Sequence, residues 1–162
     1  MAPLDRTPPR AALVSLLLLL ACSRAAPGAG EGDAPSTPPG EATVAGPLQA
    51  TLTTDRETYG PGDPVTFTLR VENVGEGALA LEFRSGQRYD FVVEDDGGAE
   101  VWRWGAEMGF IQVLGTERLE AGGELTYRER LGAGLPAGRY TARGVLTSSS
   151  HPVGDETVLE VR

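Results

Sequence analysis

The sequence has few of the side chains on which catalysis and metal binding commonly depend. It contains one cysteine, Cys22, and one histidine, His151. His151 lies in the segment SSSHPVGD, whose serines and proline are typical of a surface loop. A catalytic triad built from residues 148–150, His151 and Asp155 would have all its members in that one loop, with no fixed relative geometry. These absences argue against a hydrolase or transferase, and we expect a protein that is not an enzyme.

Lysine is absent, and the charge balance is acidic. All 14 basic residues are arginine, against 23 acidic residues, which gives a net charge of −9. A protein that binds nucleic acid needs a basic face for the phosphate backbone, so we expect no nucleic-acid partner. Glycines occur singly or in pairs at turns and never ahead of a helix, so no loop is suited to hold a phosphate. No carboxylate spacing singles out an acid–base pair, and we expect no cofactor.

One acidic cluster, formed by Glu94, Asp95 and Asp96, presents the hard oxygen atoms that Ca²⁺ prefers. Glycines follow directly, and Asp-Gly is also typical of a tight hairpin turn. The alternating ligands of a calcium-binding loop are missing. The sequence therefore favours a turn, and we expect no metal site.

The N-terminal segment indicates export. Arg6 and Arg10 precede an apolar run over residues 11–21, which is too short to span a membrane as a helix. We therefore predict a signal peptide over residues 1–21.

The end of this run resembles the lipobox of bacterial lipoproteins. In that motif, here LLAC, cleavage after Ala21 would leave Cys22 as a lipidated first residue. The alternative is an ordinary secretory signal in which Cys22 is incidental. Lipidation at Cys22 implies a lipid anchor in the cell envelope, with the domain outside the cytoplasm. The lipoprotein resemblance associates Ser23, the next residue, with an outer membrane, if the organism has one. Residues 22–47 lack large apolar side chains and are predicted to be a disordered linker.

From Leu48 onward the pattern is β throughout. The clearest strand runs over residues 65–72, where apolar residues at odd positions alternate with polar ones. Eight or nine short strands, separated by turns, predict an all-β, immunoglobulin-like antiparallel β-sandwich over residues 48–162. One of these strands is predicted at residues 110–114, followed by a turn at residues 115–116. Tyr140 is predicted to form a tyrosine corner.

Aromatic residues concentrate between residues 83 and 110, which include both tryptophans. Alternation around Tyr89, a turn at residues 95–98 and a second aromatic run predict a β-hairpin. Trp102 and Trp104 are two residues apart and would face the same side of a strand. Either both rings pack in the core, or at least one lies in a binding surface.

The same segment carries a family resemblance. This segment is similar to the BsuPI-type proteinase inhibitor domain in the order of its parts, which are SGQRYDF, a turn, EVWRW and a Gly-containing segment that ends at Phe110. Upstream, TYGPGDPVTFTLRVENVGEGALALEF looks like the opening strands of that family, and LEAGGELTYRERL and LPAGRYTARGVLT look like its closing strands. The resemblance covers most of residues 48–162. The sequence departs from the family at Gly105, where Ser is expected. It also departs in its predicted export, since the founding family is named as intracellular.

The resemblance implies a domain that binds and inhibits a serine proteinase. The lipobox adds a membrane tether, and we expect the domain to be monomeric. The contact would be a substrate-like loop, either residues 84–90 or residues 104–110, or an exposed edge strand. The alternative function is a non-inhibitory envelope adaptor or scaffold that binds a protein or carbohydrate through the Trp-bearing face. A substrate-like loop is usually held rigid, often by disulfides, and this domain has none. The candidate partner-binding residues are Arg84, Ser85, Gly86, Gln87, Arg88, Tyr89, Trp102, Trp104, Met108 and Phe110.

Overall fold

A computed structural model describes residues 42–162, which form eleven β-strands and one 3₁₀ helix, Trp104–Glu107. The predicted signal peptide, the lipidation site Cys22 and the linker up to residue 41 lie outside these residues. Among the residues described, no helix is long and apolar enough to cross a membrane. The strands are β1 (Thr43–Ala45), β2 (Leu48–Thr54), β3 (Thr58–Tyr59), β4 (Val65–Asn73), β5 (Leu79–Phe83), β6 (Tyr89–Asp95), β7 (Glu100–Arg103), β8 (Gly115–Leu119), β9 (Glu124–Leu131), β10 (Gly138–Leu146) and β11 (Val153–Val161).

The strands form two main sheets and one small pair. One main sheet has the order β1-β2-β4-β9, and the other has the order β3-β11-β10-β6-β7. Strands β5 and β8 pair antiparallel with each other. The predicted immunoglobulin-like β-sandwich is therefore confirmed. The described residues contain more strands than the eight or nine expected, because the short strands β1 and β3 add to sheet edges.

Strand β4 shows how the sequence pattern produces the core. Its odd-numbered residues are fully buried, whereas Arg70 is exposed. Burying one such side chain contributes about 1.5–3 kcal/mol. The opposite sheet supplies the other half of the core from β6, β10 and β11, including Phe91, Tyr140 and Leu159.

Two local predictions were wrong. Residues 110–114 were predicted as a strand but are irregular, and the predicted turn at residues 115–116 is the start of β8. The ladder between β5 and β8 begins only where Phe83 faces Gly115, so residues 110–114 have no opposite strand. Trp104 begins the 3₁₀ helix and does not continue β7.

The ordered domain begins before Leu48, because β1 lies in the segment predicted as linker and pairs with β2. The hydroxyl of Thr43 donates a 2.7 Å hydrogen bond to Asp155 on β11. The second carboxylate oxygen of Asp155 accepts a 2.8 Å hydrogen bond from the backbone N–H of Leu52. One buried carboxylate thus joins β1, β2 and β11, and the chain enters the sandwich at the β1 edge.

Two predicted turns are confirmed. The hydroxyl of Tyr140 donates a 3.0 Å hydrogen bond to the carbonyl of Pro136, which is the contact of a tyrosine corner. The hairpin between β6 and β7 closes through the carboxylate of Asp95, which accepts hydrogen bonds from the N–H groups of Gly97 and Ala99. Gly98 has a φ of 79°, a conformation that favours glycine. Within the acidic cluster, the side chain of Asp95 thus stabilises the turn.

Candidate functional site

Residues 108–114, which we call the apolar loop, carry the densest group of exposed large apolar side chains in residues 42–162. The loop follows the 3₁₀ helix and leads into β8. Several exposed large apolar side chains within one short segment are typical of a binding site. The exposed fractions are 48% for Met108, 71% for Ile111, 58% for Val113 and 80% for Leu114.

The first anchor of the apolar loop is aromatic. The ring of Trp104 stacks on Tyr89 with 4.4 Å between centroids, and Phe110 lies 5.6 Å from Trp104 in a tilted arrangement. Tyr89 stacks in turn on Tyr127 of β9 at 4.3 Å. Phe110 is therefore half-buried, and the start of the loop is fixed to both sheets.

The second anchor lies in the middle of the loop. The backbone N–H of Gly86 donates a 2.8 Å hydrogen bond to the carbonyl of Ile111. A Cβ added to Gly86 would lie 3.0 Å from Ile111 Cγ1, so a larger residue at position 86 would require the Ile111 side chain to move. The hydroxyl of Ser85 accepts a 3.2 Å hydrogen bond from Gln87 N–H and stabilises the turn that presents Gly86.

The third anchor is Arg88, at the end of the loop. Its guanidinium lies 4.4 Å from the ring centre of the buried Phe83, donates a 2.7 Å hydrogen bond to the carbonyl of Ser85, and forms an ion pair with Glu117. A Cβ on Gly115 would lie 2.7 Å from Arg88 Nη2, so Gly115 leaves room for the guanidinium. Arg88 thus ties the turn at Ser85 to the first residues of β8.

Beneath the loop, the backbone N–H of Gly105 donates a 2.8 Å hydrogen bond to the buried carboxylate of Asp90. Arg103 donates to the other oxygen of Asp90 at 3.0 Å. Hydrogen bonds to Glu100 and then to Asp90 raise the pKa of the Arg103 guanidinium, so it stays charged. A Cβ on Gly105 would lie 2.7 Å from Gln87 Nε2 and 2.8 Å from Asp90 Oδ1, which explains glycine where the family resemblance leads us to expect Ser.

The two stacked tyrosines have unusual hydroxyl groups. Tyr89 donates a 2.5 Å hydrogen bond to Glu129, and burial, together with this carboxylate, raises the pKa of Tyr89 well above its usual value. Burial also raises the pKa of Tyr127 to about 12. Within residues 42–162, the buried hydroxyl of Tyr127 has no hydrogen-bond partner. Both phenols therefore act as neutral packing groups at ordinary pH.

The ring of Trp102 stacks on Phe67 at 5.7 Å, and its Nε1–H donates a 3.0 Å hydrogen bond to Glu107. Trp102 and Trp104 are both half-buried and pack against the core, although they belong to different elements. The arrangement favours core packing over an exposed Trp-bearing face.

The structure brings most of the candidate residues together around the apolar loop. Arg84 and Met108 are exposed, and the remaining candidates are half-buried. Several of the half-buried residues form the three anchors of the loop, namely Ser85, Gly86, Arg88, Tyr89, Trp104 and Phe110. The role of the candidates in binding stays a prediction. Sequence reasoning missed Ile111, Val113 and Leu114, because IQVL reads as part of a strand; the flanking glycines, Gly109 and Gly115, were the available signal.

His151 lies outside this group, and its Nδ1 is 3.0 Å from Ser150 Oγ. Ser150 donates to the carbonyl of Ala80 and accepts from Glu82 N–H, so it serves as a structural connection to β5. In the part of the chain that the structure describes, no group of three or more His, Cys, Asp or Glu side chains is arranged to hold a metal ion.

Comparison with solved structures shows the fold. The chain is similar to the C-terminal domain of wzt, with a TM-score of 0.51, 11% sequence identity, and coverage of 78% of this chain and 80% of that chain. It is also similar to the sporulation control protein Spo0M from Bacillus subtilis, with a TM-score of 0.47, 17% identity, and coverage of 73% of this chain and 50% of that chain. The chain thus spans half the length of Spo0M. No curated protein matches the sequence.

A family model gives a more specific match. The model described as "BsuPI: Intracellular proteinase inhibitor" matches residues 52–151. This range begins within β2 and ends at His151, so it includes the apolar loop and all three of its anchors.

Proposed function

The chain belongs to the BsuPI intracellular proteinase inhibitor family, and we propose that it inhibits a serine proteinase by inserting the apolar loop into the active-site cleft. The observation that carries this proposal is the combination of exposed apolar side chains with a backbone fixed at three points. An inhibitor needs both properties, since the side chains provide contact area and the fixed backbone lowers the entropy cost of binding.

The loop backbone is also free to pair with a partner. In residues 42–162, the backbone N–H and C=O groups of Gln112, Val113 and Leu114 form no hydrogen bond with other backbone groups. Extended segments with unpaired backbone groups bind in clefts by forming main-chain hydrogen bonds with the partner, while alternate side chains enter pockets. These three residues therefore suit the substrate-binding strand of a proteinase.

The anchors replace the disulfides that often hold such loops. Phe110 is fixed by Trp104, the carbonyl of Ile111 by Gly86, and Gly115 by the Arg88 guanidinium above it. The contacts of Gly86 and Arg88 come from the turn before β6, and that of Trp104 comes from the 3₁₀ helix, so the loop is fixed at its start, middle and end. The domain presents a rigid loop without using cysteine.

We further propose that Cys22 carries a lipid anchor in the cell envelope and that the linker positions the domain away from the membrane. The linker joins the sandwich at β1, at one edge of its sheet. The aromatic stack beneath the apolar loop includes Tyr127 of β9, at the opposite edge of that sheet. An anchor on the β1 side would leave the apolar loop accessible to a proteinase.

An envelope adaptor that binds through the Trp-bearing face has less support, because Trp102 and Trp104 pack against the core. The proposed function is tested by capturing partners from an envelope extract with the full chain in detergent. We expect a serine proteinase to be captured, and an active-site-directed fluorophosphonate added beforehand to prevent its capture. A variant with Ile111→Ser and Leu114→Ser should lose capture, whereas Val158→Ser, which changes an exposed residue on β11, should retain it. Capture that survives active-site labelling would contradict the proposal.

A further inference from the structure

Leu114 is the most accessible large apolar side chain of the apolar loop. It is 80% exposed, compared with 71% for Ile111 and 58% for Val113. Phe110 is half-buried against Trp104 and cannot enter a partner's pocket without losing that contact. A side chain that fills a deep pocket has to be free of its own domain, and Leu114 meets this condition best.

The backbone around Leu114 supports the same assignment. The carbonyl of Ile111 is already occupied by Gly86 N–H, and the free backbone extends from Gln112 to Leu114. At Gly115 the chain enters the β5–β8 ladder opposite Phe83. Leu114 is therefore the last residue with free backbone groups before a rigid strand. If a proteinase cleft binds this free backbone and cuts at its end, the cleaved peptide bond is the one between Leu114 and Gly115.

The surroundings leave space for a proteinase at this bond. A groove of about 380 Å³ lies beside Leu114 and is lined by Phe83, Arg84, Thr116 and Ser149. Gly115 adds no side chain, and the Arg88 guanidinium behind it is engaged by Glu117 and Ser85. The wall of a pocket could therefore close around Leu114 without displacing an anchor.

The apolar loop also lacks the charge that a basic-specific proteinase requires. Residues 108–114 contain no arginine, and Arg84, which is exposed, lies on the neighbouring segment after β5. A pocket that holds a buried carboxylate would be left with an unpaired charge if Leu114 entered it. A pocket lined by apolar side chains would gain buried surface from the same residue.

We propose that Leu114 enters the primary specificity pocket of the target, so the target is an endopeptidase that cleaves after large apolar residues. This inference rests on the proposed function. Slow turnover would follow ordinary serine-proteinase chemistry. The serine oxygen attacks the Leu114 carbonyl carbon, the bond to Gly115 nitrogen breaks as that nitrogen takes a proton, and one water then hydrolyses the acyl ester. The products are a carboxylate on Leu114 and an amine on Gly115.

The inference is tested with two purified serine endopeptidases, one specific for large apolar residues and one for basic residues. The full chain in detergent is compared with Leu114→Arg, Ile111→Arg and Arg84→Ala. We expect the wild-type chain to inhibit the apolar-specific enzyme only, and Leu114→Arg to lose roughly 100-fold against it and to inhibit the basic-specific enzyme. Ile111→Arg should weaken inhibition of the apolar-specific enzyme without conferring inhibition of the basic-specific enzyme, which separates a loss of contact area from a change of specificity. After long incubation of the wild-type chain with the apolar-specific enzyme, mass spectrometry of the chain should show cleavage after Leu114.

Two outcomes would overturn the inference while leaving the proposed function in place. One is that Ile111→Arg, and not Leu114→Arg, switches the specificity. The other is that the wild-type chain inhibits the basic-specific enzyme and loses that inhibition in Arg84→Ala. If the wild-type chain inhibits neither enzyme, the result contradicts the proposed function itself.

Discussion

The backbone N–H of Gly86 donates a 2.8 Å hydrogen bond to the carbonyl of Ile111, and this contact fixes the middle of the apolar loop to the turn before β6. A Cβ on Gly86 would lie 3.0 Å from Ile111 Cγ1. This contact joins the Ser-Gly-Gln segment, which carries the family resemblance, to the apolar loop, whose residues 111–114 the sequence did not single out.

Substituting Gly86 should weaken inhibition with little loss of stability. Gly86→Val places branched methyl groups against Ile111 and should displace the middle of the loop, raising the inhibition constant by roughly tenfold. The matched control is Gly132→Val, which lies outside the apolar loop and where a Cβ meets nothing within 4 Å. Equal effects of the two variants on the inhibition constant would show that the close approach at Gly86 does not position the loop.

Removing the Arg88 side chain should lower stability and convert the inhibitor into a substrate. Arg88→Ala loses the contact with the Phe83 ring, the ion pair with Glu117 and the hydrogen bond to Ser85, at a cost of about 2 kcal/mol in the free energy of unfolding. Urea denaturation measures the stability, and mass spectrometry measures cleavage by the target proteinase between residues 108 and 115.

The control for Arg88 is Arg118→Ala, which removes a fully exposed pair with Glu120 and should change the urea midpoint little. A small loss of stability in Arg88→Ala, similar to that of Arg118→Ala, would contradict the assigned role. So would an Arg88→Ala variant that remains uncleaved and inhibits as strongly as the wild-type chain.

Replacing Gly105 by the family-expected Ser should destabilise this domain. The new Cβ would lie 2.7 Å from Gln87 Nε2 and 2.8 Å from Asp90 Oδ1. Either the side chains or the 3₁₀ helix must move, at a cost of about 1–3 kcal/mol. Gly109→Ser has open space and serves as the control. Gly105→Ser with wild-type thermal stability would mean that Gln87 and Asp90 adjust freely.

The unpaired hydroxyl of Tyr127 predicts an unusual response to its removal. Tyr127→Phe removes a buried polar atom that has no partner in residues 42–162, so the free energy of unfolding should stay the same or increase. Tyr140→Phe removes the hydrogen bond to Pro136 and should cost about 1 kcal/mol. Chemical denaturation of both variants makes the comparison, and a larger loss in Tyr127→Phe would contradict it.

Stability should also decline at high pH. Burial raises the pKa of Tyr127 and of Tyr59 from 10.0 to about 12. Folding therefore favours the neutral phenols, and their contribution is complete below pH 10 and is lost as the pH rises from 10 to 12. Urea midpoints across this range should fall, and they should fall less steeply in Tyr127→Phe. Identical pH dependence in the two proteins would show that Tyr127 does not titrate with folding.

The sequence predicted the fold well where local patterns decide the structure. Alternation in β4, the hairpin around residues 95–98 and the tyrosine corner at Tyr140 all follow from short-range spacing. The apolar loop could not be predicted in the same way, since IQVL has the composition of a strand. Whether it pairs depends on the position of β5, which lies far away in the sequence.

The candidate site was predicted in part for the same reason. Ser-Gly-Gln and Trp-x-Trp pointed to segments that pack around the apolar loop, but the sequence does not show which side chains remain accessible after folding. Arg88 looked like a surface contact and is instead bound by Glu117, Ser85 and Phe83. Leu114 was predicted to lie in a strand, but it belongs to an irregular segment and is 80% exposed. Which of these side chains is bound within the domain and which is exposed depends on contacts between distant segments, and a single sequence does not specify those contacts.

The most direct test of the account is the inhibition constant of the full chain against an apolar-specific serine endopeptidase. It is compared with a variant carrying Ile111→Ser and Leu114→Ser and with Val158→Ser as the exposed control. We predict tight inhibition by the wild-type chain and by Val158→Ser, and a loss of at least roughly 30-fold in the loop variant. Unchanged inhibition by the loop variant, or no inhibition by the wild-type chain, would contradict the central claim.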